Sequence, residues 1–447
     1  MKEPIISVSG LRGIIGESLS PELAMRFACA FATDLSAGPI VVTRDGRHTG
    51  RMLADAIRSG LCAVGRDVID ADVAATPTTG ILVRSAKAAG GIQISASHNP
   101  PAYNGIKLFG TDGRVLTAEL GERIVSRYRN GELHWVEHDR IGTVASCRNS
   151  TSKHLELILA NVDVDRIRAQ RFKVLLDSNH GAGSILGRQL LEELGCEITL
   201  LGGKPDGKFS HTPEPTAENL AGVRERVVVA GAAVGFCQDP DADRLAVIDE
   251  TGRYIGEEFT LVLCLDHVLR YAKGPVVTNC ATSRMSEDIA NRHGVDFFRS
   301  AVGEANVCTL MQEKQAVFGG EGNGGPIDPR VGYVRDSFVG MALILDAMAA
   351  TAQEVSKLAD ALPQYDIHKT KITLDRDRIP AALDAVEKHF SEAQASRLDG
   401  LRLDWPDRWL LIRASNTEPI VRIIAEAPNA AGSHQLCEAA AAAIGAA

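Results

Sequence analysis

A strand–helix–strand plan occurs three times along this chain, and each time a further strand runs into a cluster of small and polar residues. In the first copy, residues 39–43 form a strand that leads into Arg44-Asp45-Gly46-Arg47. A helix over 51–63 stops near Gly65, a second strand covers 67–70, and a third, 91–95, ends in Ala96-Ser97-His98-Asn99-Pro100. The second copy has strands at 172–177 and 196–200 around a helix at 184–194. Its third strand, 232–236, runs into Asp239-Pro240-Asp241-Ala242-Asp243-Arg244. The third copy has strands at 275–278 and 295–298 around a helix at 284–292. Its last strand, 316–318, ends in Gly319-Gly320-Glu321-Gly322-Asn323-Gly324-Gly325. Strands that alternate with helices imply mixed, mostly parallel α/β sheets. Ligands of such sheets gather at the C-terminal ends of the strands. One polar turn there is ordinary; three at equivalent positions read as three walls of one site.

The remaining segments differ in character. From about residue 365 the chain alternates apolar and polar residues in short strands at 369–374, 401–403, 409–413 and 420–424, which fits a small α+β domain. Near the start, Ser9-Gly10-Leu11-Arg12-Gly13 sets an arginine between glycines, either an open anion-binding backbone or a surface arginine beside a turn. Residues 21–35 read as an amphipathic helix, and the Ala-rich tail as the end of a surface helix. Four domains are expected, at 1–150, 151–252, 253–366 and 367–447; 447 residues are too many for one core.

A net charge of −9 without a long basic run argues against a nucleic-acid surface. No apolar run is long enough to span a bilayer, and Met1-Lys2-Glu3-Pro4 does not begin a signal peptide. The nine cysteines are scattered without C-x-x-C, as in a cytoplasmic protein with reduced thiols.

Each polar cluster admits a chemical and a plain reading. Ser97 offers a nucleophilic hydroxyl, or belongs to a turn between strand and helix. Asp239, Asp241 and Asp243 alternate as hard oxygen ligands of a divalent cation such as Mg²⁺, or as a solvated acidic turn. Glu250 falls twelfth from Asp239, as in an EF-hand loop, but Arg244 stands where that loop needs glycine, and strands flank it. Arg244 suits a phosphate beside the metal. Glu321 and Asn323, between glycines, suit sugar hydroxyls or a flexible hairpin tip. Arg413, Ser415, Asn416, Thr417 and Arg422 offer the donors a phosphate dianion needs, or form a polar turn with two exposed arginines.

Ser-Ala-Ser-His-Asn-Pro, Asp-Pro-Asp-Ala-Asp-Arg, Gly-Gly-Glu-Gly-Asn-Gly-Gly and Arg-Ala-Ser-Asn-Thr-Glu-Pro together resemble, in order, the four signature loops of the α-D-phosphohexomutases. The segment Ser9 to Gly13 matches that family's N-terminal arginine loop, and the resemblance spans essentially the whole chain. It implies three related mixed α/β domains around a cleft, plus a smaller C-terminal α+β domain. It also implies that Ser97 carries a phosphoryl group and that Asp239, Asp241 and Asp243 hold Mg²⁺ with a phosphoserine oxygen. Glu321 and Asn323 would then read the sugar. Arg413, Ser415, Asn416 and Thr417, with Arg422, would grip the phosphate that is not transferred, and Arg12, His98, Lys107 and Arg244 would line the transfer site. Lys107 matches the family's candidate proton-transfer lysine, with electrostatic support as its alternative role.

The implied reaction interconverts hexose 6-phosphates and 1-phosphates through a hexose 1,6-bisphosphate, which also primes the serine. The Glu-Gly-Asn sugar loop departs from the Glu-x-Ser form of many bacterial phosphoglucosamine mutases. With Arg335-Asp336 and Ser-Gly-Leu-Arg-Gly it resembles another branch commonly assigned the same activity. Glucosamine phosphate is therefore the first expected substrate, and mannose or glucose phosphates the second. A silent sugar-phosphate binder and a metal-dependent phosphatase are the alternatives from other classes. No membrane or nucleic-acid partner is expected, and the oligomeric state is left open.

Overall fold

The computed structural model describes residues 3–7, 10–33, 35–131, 133–414 and 420–445. It divides into two compact units, Met1–Val268 with Asn323–Ala359, and Leu269–Gly322 with Asp360–Ala447. Three mixed α/β domains and a smaller, antiparallel C-terminal domain make up the chain, as the strand and helix pattern implies.

The first unit opens with a seven-stranded sheet of β1 (Ile5–Ser7), β2 (Gly10–Ile14), β3 (Ile40–Arg44), β4 (Val68–Val73), β5 (Gly90–Ile94), β6 (Tyr103–Phe109) and β7 (Val144–Ser146), in the order β1-β2-β6-β5-β3-β4-β7. Strands β5, β3, β4 and β7 run parallel, while β6 returns antiparallel to both β5 and β2. Side chains alternate across the pleat. Ile40, Val42, Ile92 and Ile94 enter one core with the helices Pro21–Thr33 and Gly50–Ala63; Val41 and Phe109 enter another with the helix Thr76–Ser85. Each such fully buried side chain contributes roughly 1.5–3 kcal/mol. A second sheet holds β8 (Lys173–Asp177), β9 (Glu197–Leu201), β10 (Val234–Gln238) and β11 (Leu245–Asp249), in the order β11-β10-β8-β9. Only β11 is antiparallel.

In the second unit, β12 (Val276–Asn279), β13 (Phe297–Ser300) and β14 (Phe318–Glu321) run parallel, with β12 in the middle. Strand β15 (Gly325–Ile327) lies in the first unit. The C-terminal sheet contains β16 (Asp366–Thr373), β17 (Gln394–Ser396), β18 (Leu401–Asp404), β19 (Trp409–Ala414) and β20 (Ile420–Ala427), antiparallel throughout in the order β16-β20-β19-β18-β17. The helix Ala430–Gly445 turns Leu436, Cys437, Ala440 and Ile444 into its core.

Two of the polar clusters are turns between a parallel strand and its antiparallel return: Ser97 lies between β5 and β6, and the three aspartates between β10 and β11. The third turn begins later than the sequence pattern predicts. Gly319, Gly320 and Glu321 complete β14, because glycine adopts extended backbone freely and the ladder to β12 continues through Gly320. The helix Ser337–Thr351 is absent from the periodicity reading, for it is apolar on every side and buried along nearly its whole length. Asp336 starts it: one carboxylate oxygen accepts from the amides of Phe338 and Val339 at 2.9 and 3.2 Å, the other meets His154 Nε2 at 2.6 Å.

Asp336→Ala removes both the helix cap and the partner of a buried imidazole. We expect it to cost about 2–3 kcal/mol, read by calorimetry as a thermal transition several degrees lower. An unchanged transition would mean that this carboxylate does not hold the helix start.

Candidate active site

Ser97 is almost fully buried, and its backbone is left-handed, at φ +49°. A non-glycine residue in that conformation costs about 1–3 kcal/mol and persists only where its surroundings enforce it. The reward is the direction of its hydroxyl. Oγ donates to Asp239 Oδ2 at 2.7 Å and lies 3.3 Å from His98 Nδ1.

The three aspartates stand on one tight turn, and each is fully buried. The intervening Ala242 is itself left-handed, at φ +56°. Their ligand atoms all lie within 4.8 Å of one another. Asp241 Oδ2 accepts from Lys107 Nζ at 2.6 Å and from Thr76 Oγ1 at 2.5 Å. Asp243 Oδ2 accepts from Lys107 Nζ at 2.8 Å and from Arg335 Nη2 at 2.6 Å. The second oxygens, Oδ1 of Asp241 and of Asp243, are buried and have no hydrogen-bond partner. Buried carboxylate oxygens are costly when unpaired. Two of them in one group of three carboxylates are the donor set that a hard divalent cation takes, so these residues fit a metal. The EF-hand alternative fails, because Glu250 turns away to accept from Ser356 and the flanking elements are strands.

Charge is distributed unevenly among the three. Burial, then Asp241 and Asp243, push the Asp239 carboxyl well above its ordinary range. Burial opposes ionisation of Asp241 and Asp243 too, but Lys107 holds the first below its usual value and Arg335 with Lys107 holds the second. Burial likewise works against the Lys107 ammonium, and its two carboxylate partners overcome it, so Lys107 stays charged. His98 goes the other way: burial, then Arg244 and Arg12, push it down to about 3, which leaves its imidazole neutral. Arg12 donates to Asn99 Oδ1 at 2.8 Å, and Arg244 lies 4.0 Å from Glu214. Arg12, Arg244, Arg335 and Lys107 thus bring four cationic side chains to this region, a charge distribution that suits an anion.

The second unit carries Glu321, Arg413 and Arg422. Glu321 Oε1 accepts from Asn279 Nδ2 at 2.6 Å and from the Gly303 amide at 3.1 Å. Arg413 pairs with Asp399 at 3.2 Å and faces Arg422 directly across β19 and β20. Like charges in such a cross-strand pair repel, and a bound anion relieves that. Asn323 belongs to the first unit, where its Oδ1 is buried without a partner. Ser9, Ser415, Asn416 and Thr417 lie outside the described residues.

The structure therefore gathers Ser97, His98, Lys107, Arg12, Arg244 and the three aspartates. It adds Thr76 and Arg335, which hold Asp241 and Asp243, and Asp45, Arg47 and Ser95 around the Ser97 turn. Asp45 and Arg47 follow β3 in the polar stretch Arg44-Asp45-Gly46-Arg47, but their link to Ser97 depends on β3 lying beside β5; Thr76 left no signal in its own neighbourhood.

Four consecutive stretches match phosphoglucomutase/phosphomannomutase domains: alpha/beta/alpha domain I over residues 4–134, domain II over 152–252, domain III over 257–365 and the C-terminal domain over 370–443. The chain belongs to this family, within the α-D-phosphohexomutase superfamily. It is 39% identical over 428 residues to a "Phosphoglucomutase/phosphomannomutase" of Thermococcus kodakarensis, covering 94% of this chain and 93% of the relative. It is 34% identical over 433 residues to a "Probable phosphoglucosamine mutase" of Methanopyrus kandleri, covering 96% and 95%. A solved phosphoglucomutase/phosphomannomutase family protein from Burkholderia thailandensis superposes with a TM-score of 0.86 at 26% identity, over 99% of this chain and 98% of the other. Among the described residues no helix is long and apolar enough to cross a membrane.

Asp241→Asn and Asp243→Asn should each weaken divalent-cation binding at least about tenfold. Calorimetric titration of chelator-stripped protein with Mg²⁺ or Mn²⁺ reads this; wild-type affinity in both variants would place the metal elsewhere.

Proposed function

We propose that this phosphohexomutase interconverts hexose 6-phosphates and hexose 1-phosphates by way of a phosphorylated Ser97 and a hexose 1,6-bisphosphate, with glucosamine phosphate as its preferred substrate. The observation that carries the mechanism is the Ser97 hydroxyl, 2.7 Å from Asp239 at the edge of three buried carboxylates with two unpartnered oxygens. Asp239, Asp241 and Asp243, with an oxygen of the serine phosphate, would hold Mg²⁺, whose charge offsets that developing on the transferring group.

The chain's own residues divide the remaining work. Arg12 and Arg244 face the transferring group as fixed cations. Lys107 enters as an ammonium, so it offsets charge and has a proton to give as the serine oxygen leaves. It takes up the proton of the attacking sugar hydroxyl in exchange, while neutral His98 lies 3.3 Å from Ser97 Oγ and lines the site. In the forward half-reaction the Ser97 O–P bond breaks as a sugar hydroxyl forms its own bond to phosphorus and loses its proton. In the return half, the other phosphate of the bisphosphate passes back to Ser97. Glu321 and Asn323 would bind sugar hydroxyls. Arg413, with Ser415, Asn416, Thr417 and Arg422, would grip the phosphate that stays put. We assign the enzyme to the cytoplasm, in keeping with nine free cysteines.

The glucosamine assignment is supported by relatives at 34% identity whose name is "Probable phosphoglucosamine mutase". The 39% identical relative named phosphoglucomutase/phosphomannomutase favours a second reading, in which mannose or glucose phosphate is preferred.

Assays with glucosamine, glucose and mannose 6-phosphates, Mg²⁺ and a priming bisphosphate separate the two. Highest kcat/KM with glucosamine 6-phosphate is expected, and a higher value for either other sugar would select the second reading. Ser97→Ala should lower turnover at least about 10³-fold, as loss of a nucleophile does, with the fold intact by circular dichroism. Turnover close to wild type would remove Ser97 as the phosphoryl carrier.

A further inference from the structure

Beneath the Ser97 turn lies an arginine that makes no contact with the metal-binding carboxylates. Arg47 follows β3, is 2% exposed, and spends both Nη groups of its guanidinium on the backbone around Ser97. Nη2 donates to the carbonyls of Ser97 and Asn99, both at 2.6 Å. Nη1 donates to those of Pro100 at 2.8 Å and Tyr103 at 2.9 Å. Nε donates to Asp45 Oδ2 at 3.0 Å, so each of the five N–H groups has an acceptor. The Phe209 ring covers the group from one side, 5.1 Å from Cζ.

The arrangement closes on itself. Asp45 Oδ2 also accepts from Ser95 Oγ at 2.8 Å, and Ser95 Oγ in turn accepts from the Ser97 amide at 2.8 Å. Asp45 Oδ1 accepts from the Arg47 amide at 2.9 Å, which fixes the arginine to its anchor. Both polar groups of the Ser97 peptide backbone, N–H through Ser95 and C=O through Arg47, are therefore tied to one buried carboxylate. A turn that carried only structural duty could relax out of its left-handed conformation. This one is held there by a closed ring of hydrogen bonds, and that conformation is what aims Oγ at Asp239.

We infer that Arg47, with Asp45 and Ser95, is the positioning device that keeps Ser97 in the geometry for phosphoryl transfer. This rests on the assignment of Ser97 as phosphoryl carrier. Arg47 touches neither substrate nor metal in this account; it acts through the backbone of Ser97. A displacement of about 1 Å at a reacting atom can cost on the order of a hundredfold in rate, so the expected signature is in turnover and not in ground-state binding.

The test uses the full-length enzyme and two variants. Arg47→Lys keeps a buried cation but offers three donors in place of five. Ser95→Ala removes the link that joins the Ser97 amide to Asp45 and leaves Arg47 in place, so it is the gentler change should the lysine variant fail to fold. The first measurement is the rate at which glucose 1,6-bisphosphate phosphorylates Ser97, followed by intact-protein mass spectrometry. The second is the split between kcat and KM for the sugar monophosphate. Both variants should lose at least about tenfold in phosphorylation rate and in kcat, with KM within about threefold of wild type. A merely structural role predicts a lower melting temperature with wild-type rates per folded molecule, and that result would overturn the inference. If wild-type Ser97 itself takes up no phosphoryl group, the carrier assignment fails and the positioning role falls with it. If wild type is phosphorylated and both folded variants match its rate, only the positioning role fails.

Discussion

Three carboxylates buried within one turn repel one another and have lost their water, so the surrounding structure has to supply what solvent would have given them. Distant segments converge to do this. Lys107 comes from β6, Thr76 from the start of a helix beyond β4, Arg335 from the segment before the helix Ser337–Thr351, and Ser97 from the turn after β5. Their compensation is incomplete, for two carboxylate oxygens remain without partners. That deficit is what a divalent cation would remove, and it links the stability of this region to its chemistry.

The same economy of position is visible in the strained residues. Ser97 and Ala242 both adopt left-handed backbone in the two turns that bring serine and aspartates together. Neither is glycine, and each is held by hydrogen bonds from outside its own turn: Arg47 to the Ser97 carbonyl, Ser337 Oγ to that of Ala242. In both turns the strain sits at the end of a parallel strand, where a mixed sheet lets an antiparallel strand return and close a tight turn. In the second unit the device is different. Glu321 ends a strand and is fixed by Asn279 and a backbone amide, while Arg413 and Arg422 stand opposed across two antiparallel strands.

What could be seen in the amino-acid order follows the range of the interactions. Ser97 and the three aspartates were legible because their chemistry and their strand-end position are both local. Arg47 is local too, but its importance depends on β3 lying beside β5, a neighbour relation that periodicity does not reveal. Thr76 and Arg335 meet the aspartates from 165 and 92 residues away; Arg335-Asp336 stands out only as part of the family resemblance, and nothing around Thr76 announces its contact. The helix Ser337–Thr351 escaped for the opposite reason: with apolar residues on every side it has no period to read. The glycine-rich cluster at 319–325 reads as a loop in the sequence, although its first three residues extend a strand, since glycine-rich composition resembles a turn even when the ladder runs on.

The central claim is that Ser97 carries a phosphoryl group which it hands to a sugar and not to water. The most direct measurement is a rapid-quench chase of enzyme carrying ³²P on Ser97 with unlabelled hexose monophosphate in a single turnover. The account predicts that the label leaves the protein at a rate at least equal to kcat and passes through hexose bisphosphate. Label released as inorganic phosphate, or retained on the protein while product forms, would contradict it.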